Sequence, residues 1–184
     1  MNEIPAAQLR ELQQVGADLY RHGLVTSHGG NLSIRDGHGM WITGTGTRLG
    51  HLQARDISYV FAGGDHSGPP PSSDTVLHTT VYALSGAQAV AHAHPRHAVA
   101  ITFEGDVFTP PDLEGQHHLT DVPVIENDAR GIERVAGALQ SRLAVILRGH
   151  GAYARGQNLW EALHWIMALE ESAQIAWLKK RWEE

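Results

Sequence analysis

The sequence predicts one mixed α/β domain spanning residues 1–184. Segments of helical periodicity alternate with short extended apolar runs, and no linker or internal repeat divides them. A chain of 184 residues is long enough to bury a core without covalent staples. Hydrophobic residues make up 42% and charged residues 18%, the balance of a folded rather than a disordered chain.

Pro5–His22 reads as the first helix. Leu9, Leu12, Val15 and Leu19 recur at helical spacing, Pro5 suits the first turn, and Gly23 suits the stop. Thr26–Asn31 is a turn of small polar residues. Leu32–Arg35 and Met40–Thr43 read as strands joined by a hairpin turn at Asp36–Gly39. Ile57–Phe61 is a further strand and Gly63–Pro71 a loop. Ser73 is placed to cap a helix over Asp74–Leu84, with Val76, Leu77, Val81 and Leu84 on its buried side.

Ala89–His94 reads as a strand, and Pro95 opens a helical segment reaching Thr102. Glu104–Thr120 is polar and irregular, the pattern of a long loop. Val122–Ile125 reads as a strand, Arg130–Ser141 as a helix, and the apolar run Leu143–Leu147 as a buried strand. Asn158, followed three residues later by Glu161, starts a final helix with Leu159, Leu163, Ile166 and Met167 on one face.

Composition excludes several functions. There are no cysteines, so disulfides and thiolate metal sites are ruled out, and a transition metal must be held by nitrogen and oxygen. The net charge of −6, from 14 basic and 20 acidic residues, comes with no basic cluster, which argues against nucleic acid as partner. No apolar run approaches the ~20 residues of a membrane-spanning helix. The opening MNEIPAAQLRELQQ lacks the basic-then-apolar profile of a secretory signal. The expected location is cytoplasmic.

Thirteen histidines are unusual enough to ask which of them work together. His92 and His94 stand two apart on a strand, so their rings project from one face while Ala91 and Ala93 face the other. His150 leaves the apolar run between Gly149 and Gly151, with backbone freedom to turn toward the same place. Three histidines with an open position form the pattern of a catalytic zinc. An H-x-H pair on a strand also suits two hydrogen-bonded histidines without a metal, and spacing alone leaves both readings open.

Three segments suit a bound anion. Ser72 and Ser73 precede a helix whose free N–H groups and dipole favour negative charge. The segments Gly29–Asn31 and Ile42–Gly46 offer hydroxyls and accessible backbone. GTGTRLG (Gly44–Gly50) does not have dinucleotide-fingerprint spacing, and no clear helix follows it.

Taken in order, SHGGNLSIR (Ser27–Arg35), WITGTG (Trp41–Gly46), PSSDTVLH (Pro71–His78), AVAHAHPRHA (Ala89–Ala98) and LRGHGAYARG (Leu147–Gly156) resemble the class II aldolase and adducin head family. The resemblance runs along almost the whole chain. It implies a three-layer α/β/α fold with a mostly antiparallel central sheet, and a homotetramer with sites between subunits. It implies His92, His94 and His150 as the three metal ligands; their chemistry suits Zn2+ and also accepts Mn2+, Co2+ or Ni2+. It implies Gly30, Asn31, Thr45, Gly46, Ser72 and Ser73 as the pocket for a substrate phosphate. It places Asp74 where the aldolases carry a glutamate that serves as general base and occupies the metal in the resting site, so Asp74 is the catalytic residue, as base, metal ligand or both.

The activity implied is cleavage of a ketose 1-phosphate, such as L-fuculose 1-phosphate, into dihydroxyacetone phosphate and an aldehyde. A 4-epimerase of the L-ribulose-5-phosphate type, or a sugar-phosphate dehydratase, would use the same site. A non-catalytic adducin-like module is the remaining alternative. Asp74 is one methylene shorter than the aldolase glutamate. The loop LEGQHHLTD (Leu113–Asp121) does not match the epimerase segment HADYF. The tyrosines Tyr20, Tyr59, Tyr82 and Tyr153 do not include a C-terminal one, so the general acid is left open, with His117, His118 and Glu114 as candidates.

Overall fold

The computed structural model describes residues 3–37 and 39–183. The first half contributes α1 (Ala6–Arg21), β1 (Asn31–Asp36), β2 (Gly39–Thr43), β3 (Ile57–Val60), β4 (His66–Ser67) and α2 (Thr75–Leu84). Then come β5 (Ala89–Ala93), α3 (Arg96–Ile101), β6 (Val107–Phe108), α4 (Leu113–His118), β7 (Val122–Ile125) and α5 (Gly131–Ala138). The chain finishes with β8 (Ala144–Leu147), β9 (Gly151–Gly156) and α6 (Leu159–Glu183).

The strands join into one sheet in the order β4-β3-β2-β1-β5-β9-β8-β7-β6. Every neighbouring pair is antiparallel except β7 and β8. This is the mostly antiparallel sheet, covered on both faces, that the resemblance implied.

Period-two alternation decides what each face meets. On β5, Ala89, Ala91 and Ala93 are fully buried in the core shared with α1 and α6, where small side chains let the helices approach closely. Val90 points the other way, into the core shared with α2 and α5. His92 follows it on that second face. α6 is anchored as its sequence predicts. Asn158 Oδ1 accepts the Glu161 amide at 2.9 Å, and Glu161 reaches back to the Gln157 amide at 2.7 Å. Its Leu159, Leu163, Ile166 and Leu169 are buried, each contributing roughly 1.5–3 kcal/mol as an upper figure.

Four expectations need correction. Glu104–Thr120 is not one loop, because β6 pairs with β7 and Asp112 caps α4 by accepting the Gly115 amide at 2.8 Å. The polar pattern concealed α4, whose only buried residue is Gly115. Inside the expected loop Gly63–Pro71, β4 pairs with β3. The strand β9, inserted between β5 and β8, was not anticipated, since GAYARG lacks the β-branched residues that mark a strand.

The fourth correction concerns α2. Its N-cap is Asp74, with no side-chain cap bond, and Ser73 is exposed. Val76 and Leu84 are exposed, while Leu77, His78, Val81 and Tyr82 are buried. Two polar residues take the inner face because Ser33 on β1 hydrogen-bonds both, to His78 Nδ1 at 2.7 Å and to the Tyr82 hydroxyl at 2.6 Å. At the hairpin, Gly37 takes φ 57°, and His38 lies outside the described residues. Among the described residues no helix is long and apolar enough to cross a membrane.

Candidate metal centre and active site

The centre is built on a row across three strands. Asn31 on β1 stands opposite His92 on β5, and His92 opposite Tyr153 on β9. Partners in register share a face, so all three side chains point toward the layer of α2. The Tyr153 ring stacks on His92 with centroids 4.0 Å apart and planes 11° off parallel. His92 Nδ1–H donates to the Ala152 carbonyl at 3.0 Å. That bond fixes the tautomer and leaves the Nε2 lone pair for a ligand.

His94 Nε2 lies 3.0 Å from His92 Nε2, and the His94 amide donates to the Leu24 carbonyl at 2.7 Å. His150 comes from the turn between β8 and β9. One nitrogen from each of His92, His94 and His150 lies within 4.8 Å of the others. His92 is buried and His150 is exposed. Two glycines make this packing possible. A Cβ on Gly151 would stand 2.4 Å from the Ala93 carbonyl and 2.6 Å from His94 Cδ2. Gly30 takes φ 78°, and a Cβ there would lie 2.6 Å from the His92 carbonyl.

Burial, aided by the neighbouring rings of His94 and His150 and opposed by the charge of Asp74, holds His92 down to about 3. Burial and His150 also lower His94. Both rings are therefore neutral near pH 7, the form that binds a cation. Three convergent imidazole nitrogens without a thiolate fit zinc, and also manganese, cobalt or nickel.

Asp74 sits above the row. Its Oδ2 accepts Asn31 Nδ2 at 2.8 Å and the Tyr153 hydroxyl at 3.0 Å, so it bridges the two residues on either side of His92. Burial works to raise its pKa. The electrostatic pull of the adjoining His92, the bond from Asn31, the pull of His78 and the bond from Tyr153 together hold it below the ordinary carboxylate value. Burial and the Asp74 charge push Tyr153 upward, so the phenol keeps its proton and is the donor.

The segments expected to bind phosphate converge beside Asp74. Ser72 donates its amide to the Thr43 carbonyl at 3.1 Å, and its hydroxyl accepts the Asp74 amide at 3.2 Å. Thr45 donates its amide to Pro70 and its hydroxyl to Pro71, which ties the Thr45–Gly46 loop against the Ser72–Ser73 turn. Gly46, at φ 70°, is exposed. Beside this loop opens a cleft of about 550 Å³ lined by His28, Thr45, Gly46, Arg48, His51 and Arg55. Asn31 serves Asp74 with its amide nitrogen. His117 and His118 are exposed on α4 and meet edge to face, their planes 82° apart; His118 also meets His164 and Trp165 of α6.

Sequence reasoning missed Tyr153 and the buried Ser33–His78–Tyr82 chain. Burial lowers His78 to about 4 against the raising pull of Asp74. The available signal for Tyr153 was its spacing: it follows His150 by three residues on what is now seen to be a strand. His78 stands four residues after Asp74, one helical turn on.

Residues 10–177 match the family described as Class II Aldolase and Adducin N-terminal domain. The crystal structure of L-fuculose-1-phosphate aldolase from Thermus thermophilus is similar to this chain at TM-score 0.89 and 38% identity, over 97% of each chain. A methylthioribulose-1-phosphate dehydratase of Acidiphilium cryptum is 34% identical, over 91% of this chain and 92% of its own length. A 3-oxo-tetronate 4-phosphate decarboxylase of Cupriavidus necator is 31% identical, over 90% and 81%. The order of motifs, the sheet and the histidine trio all agree with these likenesses, and the chain belongs to the class II aldolase and adducin family.

Proposed function

We propose that this protein is a metal-dependent lyase that cleaves a ketose 1-phosphate, such as L-fuculose 1-phosphate, into dihydroxyacetone phosphate and an aldehyde. The observation that carries the reading is one constellation: His92, His94 and His150 with nitrogens within 4.8 Å of one another, beside a carboxylate tethered to His92's own neighbours. Zn2+, or Mn2+, Co2+ or Ni2+, would be held by those three rings and would supply Lewis-acid polarisation of a carbonyl and its adjacent hydroxyl.

The chain's own residues do the rest. Ser72, Ser73, Thr45, Gly46, Gly30 and Asn31 gather at one end of the site, where the start of α2 favours an anion. Holding a remote phosphate there orients the reacting carbons. Asp74, ionised and fixed, exchanges a proton with the carbon next to the carbonyl. We assign the substrate as a small sugar phosphate and place the working protein in the cytoplasm as a homotetramer.

The test is to supply Zn2+ or Mn2+ with L-fuculose 1-phosphate and couple released dihydroxyacetone phosphate to a reductase. Steady cofactor oxidation is expected. No signal across a panel of ketose 1-phosphates would reject cleavage.

A second reading, sugar-phosphate dehydration, is favoured by the 34% identical dehydratase relative. Here Asp74 would remove the carbon-bound proton, and the neighbouring hydroxyl would leave as water. Product NMR separates the two, because cleavage yields two carbon fragments and dehydration yields one.

A further inference from the structure

Asp74 raises a question that its position alone does not answer: a carboxylate beside three convergent imidazoles can be a fourth ligand, a proton carrier, or both. We propose that in this chain Tyr153 and Asn31 lock Asp74 into the role of proton carrier outside the metal's ligand set, Tyr153 being its positioning residue. The inference deepens the reading of Asp74 given above and rests on it for the catalytic readout only.

The geometry is asymmetric. Both donors converge on one oxygen, Oδ2, from Asn31 at 2.8 Å and from Tyr153 at 3.0 Å. They come from the two strands flanking β5, whose register puts Asn31, His92 and Tyr153 in one row. The span between donors is thus set by the sheet rather than by mobile side chains. Asn31 and Tyr153 are 6% and 2% exposed. If Asp74 swung away to ligate, both donors would lose a charge-assisted bond at a place shielded from bulk solvent. The other oxygen, Oδ1, takes no hydrogen bond among the described residues, and is left to meet substrate.

Side-chain length works in the same direction. An aspartate reaches one carbon–carbon bond less far than a glutamate, about 1.5 Å, and a carboxylate held at Oδ2 has no slack to recover it. Tyr153 also stacks flat on His92, so one residue grips a metal ligand by its ring and the proton carrier by its hydroxyl. Tyr153 itself is buried and spends its hydroxyl on Asp74 Oδ2, so it acts through Asp74.

The experiment uses the full chain loaded with Co2+ as a spectroscopic probe. Asp74→Asn is expected to leave the cobalt d–d spectrum and the metal stoichiometry at wild-type values, because the ligand set does not include Asp74. A changed spectrum or weakened cobalt binding in that variant would overturn the inference. Tyr153→Phe keeps the ring and its stack and removes only the hydroxyl. It is expected to lower kcat about tenfold with KM within about twofold, one charge-assisted bond's worth of transition-state positioning. Wild-type kcat in Tyr153→Phe would also overturn it.

Should Tyr153→Phe fail to fold, the cobalt spectrum and metal stoichiometry of Asp74→Asn decide the inference alone. If wild-type protein turns over no sugar phosphate at all, the lyase reading fails, while the cobalt spectrum of Asp74→Asn still decides the present inference.

Discussion

Two of the three candidate ligands are held in opposite ways. His92 is set by the sheet: its strand lies between two others, its ring stacks on Tyr153, and its Nδ1 is tied to the Ala152 carbonyl. His150 is set by a turn. Gly149, at φ 65°, passes its amide to Thr102 Oγ1 at 3.1 Å, and the Arg148 guanidinium binds the Thr102 carbonyl, Asp106 and Glu126. The sheet-built side is rigid because moving it breaks ladder bonds on both edges. The turn-built side depends on a few side chains and can give slightly. A fixed half, to which Asp74 is tethered through Asn31 and Tyr153, thus faces a turn-built half that brings in the third imidazole.

The largest expected effects separate these halves. His92→Ala and His150→Ala should each abolish tight metal binding, measured by metal analysis after dialysis. Only His92→Ala should also destabilise the metal-free protein, by about 2 kcal/mol from the lost buried ring. Equal losses of stability in urea unfolding would contradict the contrast, since His150 is exposed.

The next effect tests how buried the α2 side is. His78 is held down to about 4 by burial, whereas in the unfolded chain it titrates near 6.5. Between those values the unfolded state binds more protons, so stability falls as pH drops from 6.5 toward 4. For one such group the loss is about 3 kcal/mol at pH 4. His78→Gln should show a flatter stability profile than wild type by roughly that amount. Parallel profiles would mean that His78 takes up its proton in the fold.

Much of the sheet-built half was legible in the sequence. The alternation in AVAHAHP places His92 and His94 on one face, and Ala91 and Ala93 are buried on the other. The turn-built half was legible only as His150 between glycines. Arg148 and Thr102 lie 46 residues apart, and no periodicity joins them. Tyr153 went unread for a related reason: its role appears only when β9 pairs with β5, a non-local contact in a strand without a strand's composition. α2 misled in the opposite way, because Val76 and Leu84 suit a buried face by hydrophobicity while His78 and Tyr82 take it by hydrogen bonding to Ser33.

Arg148 offers a smaller, sharper test of the turn-built half. Arg148→Met keeps much of the stem but gives up the bonds to Thr102, Asp106 and Glu126. Metal affinity is expected to fall about tenfold, as for other residues that orient a ligand. Thermal stability should change little, because Asp106 is 89% exposed and such pairs contribute weakly. A large drop in melting temperature with unchanged affinity would assign Arg148 to the fold rather than to His150.

The smallest expected effect lies in the two serines before α2. Ser72 is buried, its hydroxyl accepts the Asp74 amide, and its carbonyl accepts the Thr75 hydroxyl at 2.6 Å. Ser72→Ala should therefore lower stability by about 1 kcal/mol, as expected for loss of one buried hydrogen bond. Ser73 is exposed and caps nothing. Ser73→Ala should leave urea unfolding within about 0.5 kcal/mol of wild type and appear only as a raised KM for a phosphorylated substrate. A stability loss in Ser73→Ala equal to that of Ser72→Ala would return Ser73 to the capping role its sequence position suggested, and would leave the proposed phosphate pocket one hydroxyl poorer.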